Sequence, residues 1–111
     1  MARIANNGGA PMRLTQGQIK TILETTHDIM GHDARVIVFG SRLDDRRRGG
    51  DLDLVVETAK RAPLLQCAEL KVRLEKTLHM PVDIVARARD EAPSVFQTLA
   101  IACGTELEPI T

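Results

Sequence analysis

The sequence has few aromatic residues and no surplus of charge of either sign. Tryptophan and tyrosine are absent, and the two phenylalanines are Phe39 and Phe96. A platform that stacks the bases of a single nucleic-acid strand is therefore not expected. The 15 Lys and Arg residues are balanced by 15 Asp and Glu residues. Because a protein that coats nucleic acid needs a basic surplus to displace counterions, nucleic acid is not an expected partner.

Long apolar runs and paired cysteines are also missing. No stretch approaches the roughly 18 apolar residues that a membrane span needs, and the N-terminus lacks the apolar core of a signal peptide. Cys67 and Cys103 lie far apart and form no CxxC motif, which indicates neither a disulfide framework nor a zinc site. We therefore expect a cytoplasmic protein without a membrane partner.

The 111 residues suffice for one domain. Residues 1–11 contain Asn-Asn-Gly-Gly and little periodicity, so we expect a mobile tail there and a single domain over residues 12–111. A first helix is predicted to open at Thr15, because Thr15 and Gln18 have the spacing of a capping box. Its apolar stripe continues to Gly31, which is a typical stop.

Three strands are predicted after this helix. Arg35–Phe39 is a continuous apolar run rich in β-branched residues, and it predicts a strand buried on both faces. Asp51–Val56 alternates between polar and apolar residues, and Pro81–Ala86 forms a third such segment. The charged stretch Ser41–Gly50 closes with two glycines and is predicted to be a loop.

Two further helices are predicted, one beginning at Pro63 and one running from Pro93 to Cys103. Apolar residues at helical spacing predict the buried face of each: Leu64, Cys67, Leu70, Leu74 and Leu78 in the first, and Val95, Phe96, Leu99 and Ala102 in the second. Strands that alternate with helices indicate the α/β class, with a small mixed sheet packed against helices. The pattern leaves the direction of each strand pair open.

Three acidic residues lie where a buried sheet should not hold them. Asp is disfavoured in strands, yet Asp51, Asp53 and Asp83 fall within predicted strands. Asp51 and Asp53 share a face because side chains alternate along a strand, and Asp83 joins them if the second and third strands are neighbours. Three like charges this close repel one another unless a cation lies between them. Carboxylate oxygens suit Mg²⁺, and a pair of Mg²⁺ ions serves displacement at phosphorus.

A second element follows the first predicted strand. Gly40 allows the backbone to approach a phosphate, the Ser41 hydroxyl and amide can donate to it, and Arg42 adds positive charge. Nine residues separate Ser41 from Asp51, enough for a loop to fold over a nucleotide. The run Arg46–Arg48 fits either a solvated loop tip or a contact to a triphosphate or partner.

The sequence contains Gly40-Ser41, then nine residues, then Asp51-Leu52-Asp53 followed by apolar residues. This pattern resembles the signature of the DNA polymerase β-like nucleotidyltransferase superfamily. The short chain resembles its minimal nucleotidyltransferase branch, over about Leu14 to Leu107. The resemblance implies a nucleotidyltransferase fold in which Asp51 and Asp53 hold the metals. Family members often have Ser before the first Asp, where this chain has Gly50.

The resemblance also implies roles for the remaining site residues. Asp83 would complete the metal site and help to activate the nucleophile, and Gly40, Ser41 and Arg42 would bind the triphosphate. The implied reaction uses two Mg²⁺ ions to transfer AMP from ATP to a hydroxyl. Many minimal members act as antitoxins beside a helical HEPN-domain toxin, and some transfer AMP to a tyrosine of that toxin.

Two other functions remain open at this level. One is a transferase that acts on a small molecule such as an antibiotic, although the chain has no second domain to form a substrate pocket unless a homodimer supplies it. The other is a non-catalytic module that neutralises a toxin by surface contact. The sequence does not distinguish a homo-oligomer from a hetero-oligomer.

Overall fold

The computed structural model describes residues 2–4, 14–39 and 52–109. These residues form three helices and five strands. In chain order the elements are β1 (Ala2–Ile4), α1 (Gln16–Met30), β2 (Arg35–Phe39), β3 (Leu52–Thr58), α2 (Leu64–Leu78), β4 (Val82–Ala88), α3 (Val95–Cys103) and β5 (Thr105–Pro109). No helix among them is long and apolar enough to cross a membrane.

The strands form one mixed sheet in the order β1-β5-β2-β3-β4. The pair β3 and β4 is parallel, whereas β2 pairs antiparallel with both β3 and β5, and β1 pairs antiparallel with β5. The parallel pair requires a crossover, which α2 provides. The expected α/β class with a mixed sheet is confirmed, and the strand directions that the pattern left open are now assigned.

Helices cover both faces of the sheet. On one face, α1 and α2 enclose the larger core with alternate residues of the central strands: Ile19, Ile22, Leu23, Val36, Val38, Leu52, Leu54, Val56, Leu70, Leu74, Val82 and Leu107. On the other face, α3 packs Ala100 and Ile101 against Ile37, Val55 and Val85. The alternation of side chains along β3 therefore assigns Asp53 to the face that α3 partly covers.

Helix α1 begins and ends as its sequence predicts. Thr15 accepts a hydrogen bond from the backbone N–H of Gln18 and donates its own N–H to the Gln18 side chain, so the capping box is complete. Helix α2 follows Pro63 as expected, and Leu70 and Leu74 are fully buried. Leu64, however, is 83% exposed; its predicted burial is wrong because the first turn of α2 extends past the core.

The predicted inner face of α3 is also wrong. Val95, Phe96 and Leu99 are largely exposed and Ala102 is exposed as well, whereas Ala100 is buried. The helix is apolar on nearly all sides (VFQTLAIAC), so its sequence does not define one stripe. Packing against the sheet distinguishes its faces instead: Ala100 and Ile101 contact the strands, and Gly104, just after the helix, lies too close to Ile37 and Val38 for a Cβ.

Two strands had no predicted counterpart. Ala2–Ile4 lies within the segment expected to be a mobile tail but pairs with β5, and β5 itself pairs with β2. A three-residue strand carries no alternation to recognise, and its partner lies at the other end of the chain. The rest of the expected tail, residue 1 and residues 5–11, lies outside the described residues.

Candidate active site

Phe39, Asp53 and Asp83 form a row across three adjacent strands. Phe39 of β2 is the register partner of Asp53 in β3, and Asp53 is the register partner of Asp83 in β4. Paired positions share a face of the sheet, and neighbouring strands lie about 4.8 Å apart. Asp53 and Asp83, the two predicted site aspartates that lie in described strands, are therefore direct neighbours on one face of the sheet.

This row lies where β2 ends and where β3 and β4 begin. Leu52 and Val82, which precede the two aspartates, are fully buried on the opposite face, so the aspartates point away from the main core. The Asp83 side chain is 65% exposed and Asp53 is half-buried. A ligand can thus approach Asp83 from solvent while the backbone beneath it is held by the core.

Side chains from α2 hold the beginning of β4. The N–H of Leu52 donates to the carbonyl of Pro81, so in the parallel ladder both polar backbone groups of Val82 point away from β3. The Val82 N–H donates to Glu75 Oε2 at 2.9 Å, and Lys71 Nζ donates to the Val82 carbonyl. These two hydrogen bonds satisfy the outward backbone groups next to Asp83.

Lys71 also brings positive charge to the row. Its ammonium lies 3.0 Å from Glu75 Oε2 and 3.8 Å from Asp83 Oδ1. The hydrogen bond from the Val82 N–H, together with that from Lys71, lowers the pKa of Glu75. The sequence pattern gives no sign of this role for Lys71 and Glu75, because oppositely charged residues four apart on a helix usually form a solvated pair.

Two neighbouring carboxylates repel each other and favour a cation between them. Oxygen donors of this kind suit Mg²⁺. Within the described ranges, no group of three or more His, Cys, Asp or Glu residues is arranged to hold a metal. Asp51, the third predicted carboxylate, and Gly40, Ser41 and Arg42, the predicted phosphate-binding residues, lie outside those ranges. The described residues thus supply two of the three expected carboxylates.

A second charged cluster lies at the opposite end of the same face. Glu57 is 5% exposed and accepts hydrogen bonds from Arg35 at 3.0 Å, from Arg89 at 3.3 Å and from Arg87. Glu106 and Asp33 pair with Arg35 and Arg89 in turn. Since these acids and arginines neutralise one another, we interpret the cluster as a structural network. The aspartate row is therefore the candidate site.

Comparison with known proteins identifies the family of this chain. The sequence matches the model of the family described as Polymerase beta, Nucleotidyltransferase, over residues 17–108. It matches no curated protein. The fold is similar to that of a chain in the solved complex of tri-AMPylated HEPN toxin from Shewanella oneidensis with MNT antitoxin, with a TM-score of 0.66 and 22% identity over 84% of this chain and 71% of that chain. Because the family model covers most of the sequence, the chain belongs to the polymerase beta nucleotidyltransferase family.

Proposed function

We propose that this chain is a Mg²⁺-dependent nucleotidyltransferase that transfers AMP from ATP to a hydroxyl of a partner protein. The partner would be a HEPN-domain toxin, so the chain would act as its antitoxin in the cytoplasm. The observation that carries the proposal is the register of Asp53 and Asp83 on adjacent parallel strands. This register sets two carboxylates side by side on an accessible face.

The residues fit a divalent metal. Asp51, Asp53 and Asp83 would hold two Mg²⁺ ions, and Gly40 with its neighbours Ser41 and Arg42 would bind the triphosphate. Bound Mg²⁺ would supply positive charge for the triphosphate and for the attacking oxygen. Oxygen donors on one face, with Asp83 largely open to solvent, are suited to that cation.

The proposed transfer is a displacement at the α-phosphorus of ATP. A bond forms between the acceptor hydroxyl oxygen and this phosphorus, the bond to the bridging oxygen breaks, and pyrophosphate leaves with the electron pair. Asp83 would accept the hydroxyl proton and pass it to water, for which its 65% exposure is favourable. Such chemistry depends mainly on positioning and charge, so a small domain can perform it.

Protein as the acceptor class is supported by the structural comparison. The solved complex with a chain of similar fold contains a HEPN toxin that carries AMP and an MNT antitoxin. The same arrangement in this chain would place an acceptor hydroxyl over the aspartate row. A small-molecule acceptor, by contrast, calls for a pocket, whereas among the described residues Asp83 projects from the sheet with 65% of its side chain exposed.

Intact-mass spectrometry tests the proposal directly. The tagged chain is purified together with the HEPN-domain protein that it retains, and the complex is incubated with ATP and MgCl₂. We expect the HEPN-domain protein to gain one or more AMP units. Asp53→Asn and Asp83→Asn should slow this gain at least roughly 100-fold, since each removes a charge that the transition state requires.

Asp90→Asn is the matched control, because Asp90 is exposed in the turn after β4 and the charge change is identical. It should modify the partner at the wild-type rate, and circular dichroism should show all three variants folded. A stable complex whose mass does not change would contradict the transfer and favour non-catalytic neutralisation. AMP appearing on an added antibiotic but not on the protein would instead identify a small-molecule transferase.

A further inference from the structure

The outer side of α3 is apolar and exposed. Val95, Phe96 and Leu99 expose 79%, 53% and 59% of their surface, and Ala102 and Cys103 are exposed beside them. We call these five residues the α3 surface. The nine residues of α3 include no charged side chain, although 27% of the whole chain is charged. A contiguous exposed apolar patch is one of the surface features typical of sites where another molecule binds.

The α3 surface adjoins the aspartate row. The Phe96 ring meets the Phe39 ring edge-on, with centroids 5.5 Å apart and an angle of 75° between their planes. Phe39 is the register partner of Asp53, which in turn neighbours Asp83. Because Ala100 packs α3 onto this same face, the apolar surface and the two carboxylates face the same side of the molecule.

We propose that the α3 surface is the docking surface for the HEPN-domain protein that receives AMP, and that it binds an apolar helix face of that protein. The inference rests on the proposed function, since the docked protein is its acceptor. The acceptor must approach on the α3 side, because α1 and α2 cover the other face of the sheet. A helix that lays its apolar side on an apolar surface is a common mode of recognition.

A protein accounts for this surface better than a nucleotide does. Val95 and Leu99 lie on the side of α3 that turns away from the sheet, as their exposure shows. A nucleotide bound at the aspartate row would lie against the sheet and leave both side chains in water. A protein that spans the row and the helix would cover them while it presents its hydroxyl to Asp83.

The chain contains its own control surface. Leu64 and Leu65, at the start of α2, are 83% and 84% exposed, but their helix belongs to the layer on the other face of the sheet. We compare the α3 variant Val95→Glu/Leu99→Glu with the α2 variant Leu64→Glu/Leu65→Glu. Both change two exposed apolar residues to glutamate, so they differ in location rather than in chemistry.

Affinity for the HEPN-domain protein is measured by titration calorimetry, and binding of a fluorescent ATP analogue with Mg²⁺ is measured in parallel. We expect the α3 variant to bind the protein at least roughly 30-fold more weakly than the wild type and to transfer correspondingly less AMP to it. The α2 variant should match the wild type in both measurements.

Alkylation of Cys103 provides a second measurement that needs no substitution. Cys103 belongs to the α3 surface, whereas Cys67 lies half-buried in α2, where burial raises the pKa of its thiol. In the complex, iodoacetamide should label Cys103 several-fold more slowly than in the free chain, while the slow labelling of Cys67 should not change.

The outcomes separate this inference from the proposed chemistry. Binding that depends on the α3 surface without any AMP transfer would support the docking surface and contradict the transferase. Wild-type affinity in the α3 variant, or loss of affinity in the α2 variant, would overturn the docking surface and leave the transferase intact. If the α3 variant no longer binds the ATP analogue, the α3 surface belongs to the nucleotide site instead. If light scattering shows that the wild type is a dimer and the α3 variant a monomer, the surface binds a second copy of the chain instead.

Discussion

The Glu75 carboxylate accepts a hydrogen bond from the backbone N–H of Val82, and its helix neighbour Lys71 donates to the carbonyl of the same residue. Since β4 is the outermost strand of the described sheet on this side, α2 side chains occupy the position that a further strand would take. Val82 directly precedes Asp83, so these contacts fix the backbone at the point where that aspartate projects from the sheet. They also protect an edge that could otherwise pair with another chain.

Glu75→Gln should reduce stability only where the carboxylate is charged. The hydrogen bonds from Val82 and Lys71 lower the pKa of Glu75 from its ordinary value of 4.5 in the folded protein. A lowered folded-state pKa gives stability that is present above pH 4.5 and is lost as the pH falls through the folded value. The melting temperature of the wild type should therefore exceed that of Glu75→Gln at pH 6 and approach it at pH 3.

Glu69→Gln is the control for this titration. Glu69 lies on the same helix and pairs more loosely with Arg73, at 3.6 Å. Its substitution should leave the melting temperature nearly unchanged across the same range, because exposed pairs contribute little. A gap between the wild type and Glu75→Gln that stays constant down to pH 3 would contradict a role for the charged carboxylate.

Glu57→Ala should destabilise the fold far more than Glu106→Ala does. Removal of Glu57, whose side chain is 6% exposed, leaves three arginines without their shared acceptor, and we expect a loss of about 3 kcal/mol in the free energy of unfolding. Glu106 is 26% exposed and pairs with Arg35 alone among the described contacts, so its loss should cost less than about 1 kcal/mol. Urea denaturation measures both values, and equal losses would refute the structural network.

The features that could be predicted from the sequence are those whose pattern lies within one helix or strand. The capping box at Thr15 is completed by a residue three positions away, and α1 therefore begins where predicted. The alternation of Leu52, Asp53 and Leu54 assigned the aspartate to the face opposite the main core, and the register of β3 with β4 then placed Asp83 beside it. The two described carboxylates of the candidate site were thus predictable in position, although not in strand direction.

Pairing between distant segments was not visible in the local pattern. Strand β5 has the sequence TELEP, and its two glutamates gave no sign that one of them would pair with Arg35, which lies 71 positions earlier in the chain. Likewise, the contribution of Lys71 to the row appears only once α2 is packed beside β4. Arrangements of this kind depend on the whole fold, because each segment alone leaves several faces and partners open.

The orientation of α3 depends on a glycine, and its substitution should expose that dependence. A Cβ added to Gly104 would lie 2.6 Å from both the Ala100 carbonyl oxygen and Ile37 Cγ2, and 2.8 Å from the Val38 carbonyl oxygen. Two of these neighbours are backbone atoms, which cannot move without shifting α3 or β2. Gly104→Ala should therefore lower the free energy of unfolding by about 1–3 kcal/mol.

Gly17→Ala is the matched control. Gly17 lies in the first turn of α1, and a Cβ added there would have its nearest neighbour, Thr15 Oγ1, at 3.9 Å. Alanine is the better helix former, so this variant should gain up to about 1 kcal/mol. Denaturant titrations of the two variants give both signs in one experiment. If Gly104→Ala were as stable as the wild type, α3 would not be held by this contact, and the exposure of Val95 and Leu99 would need another cause.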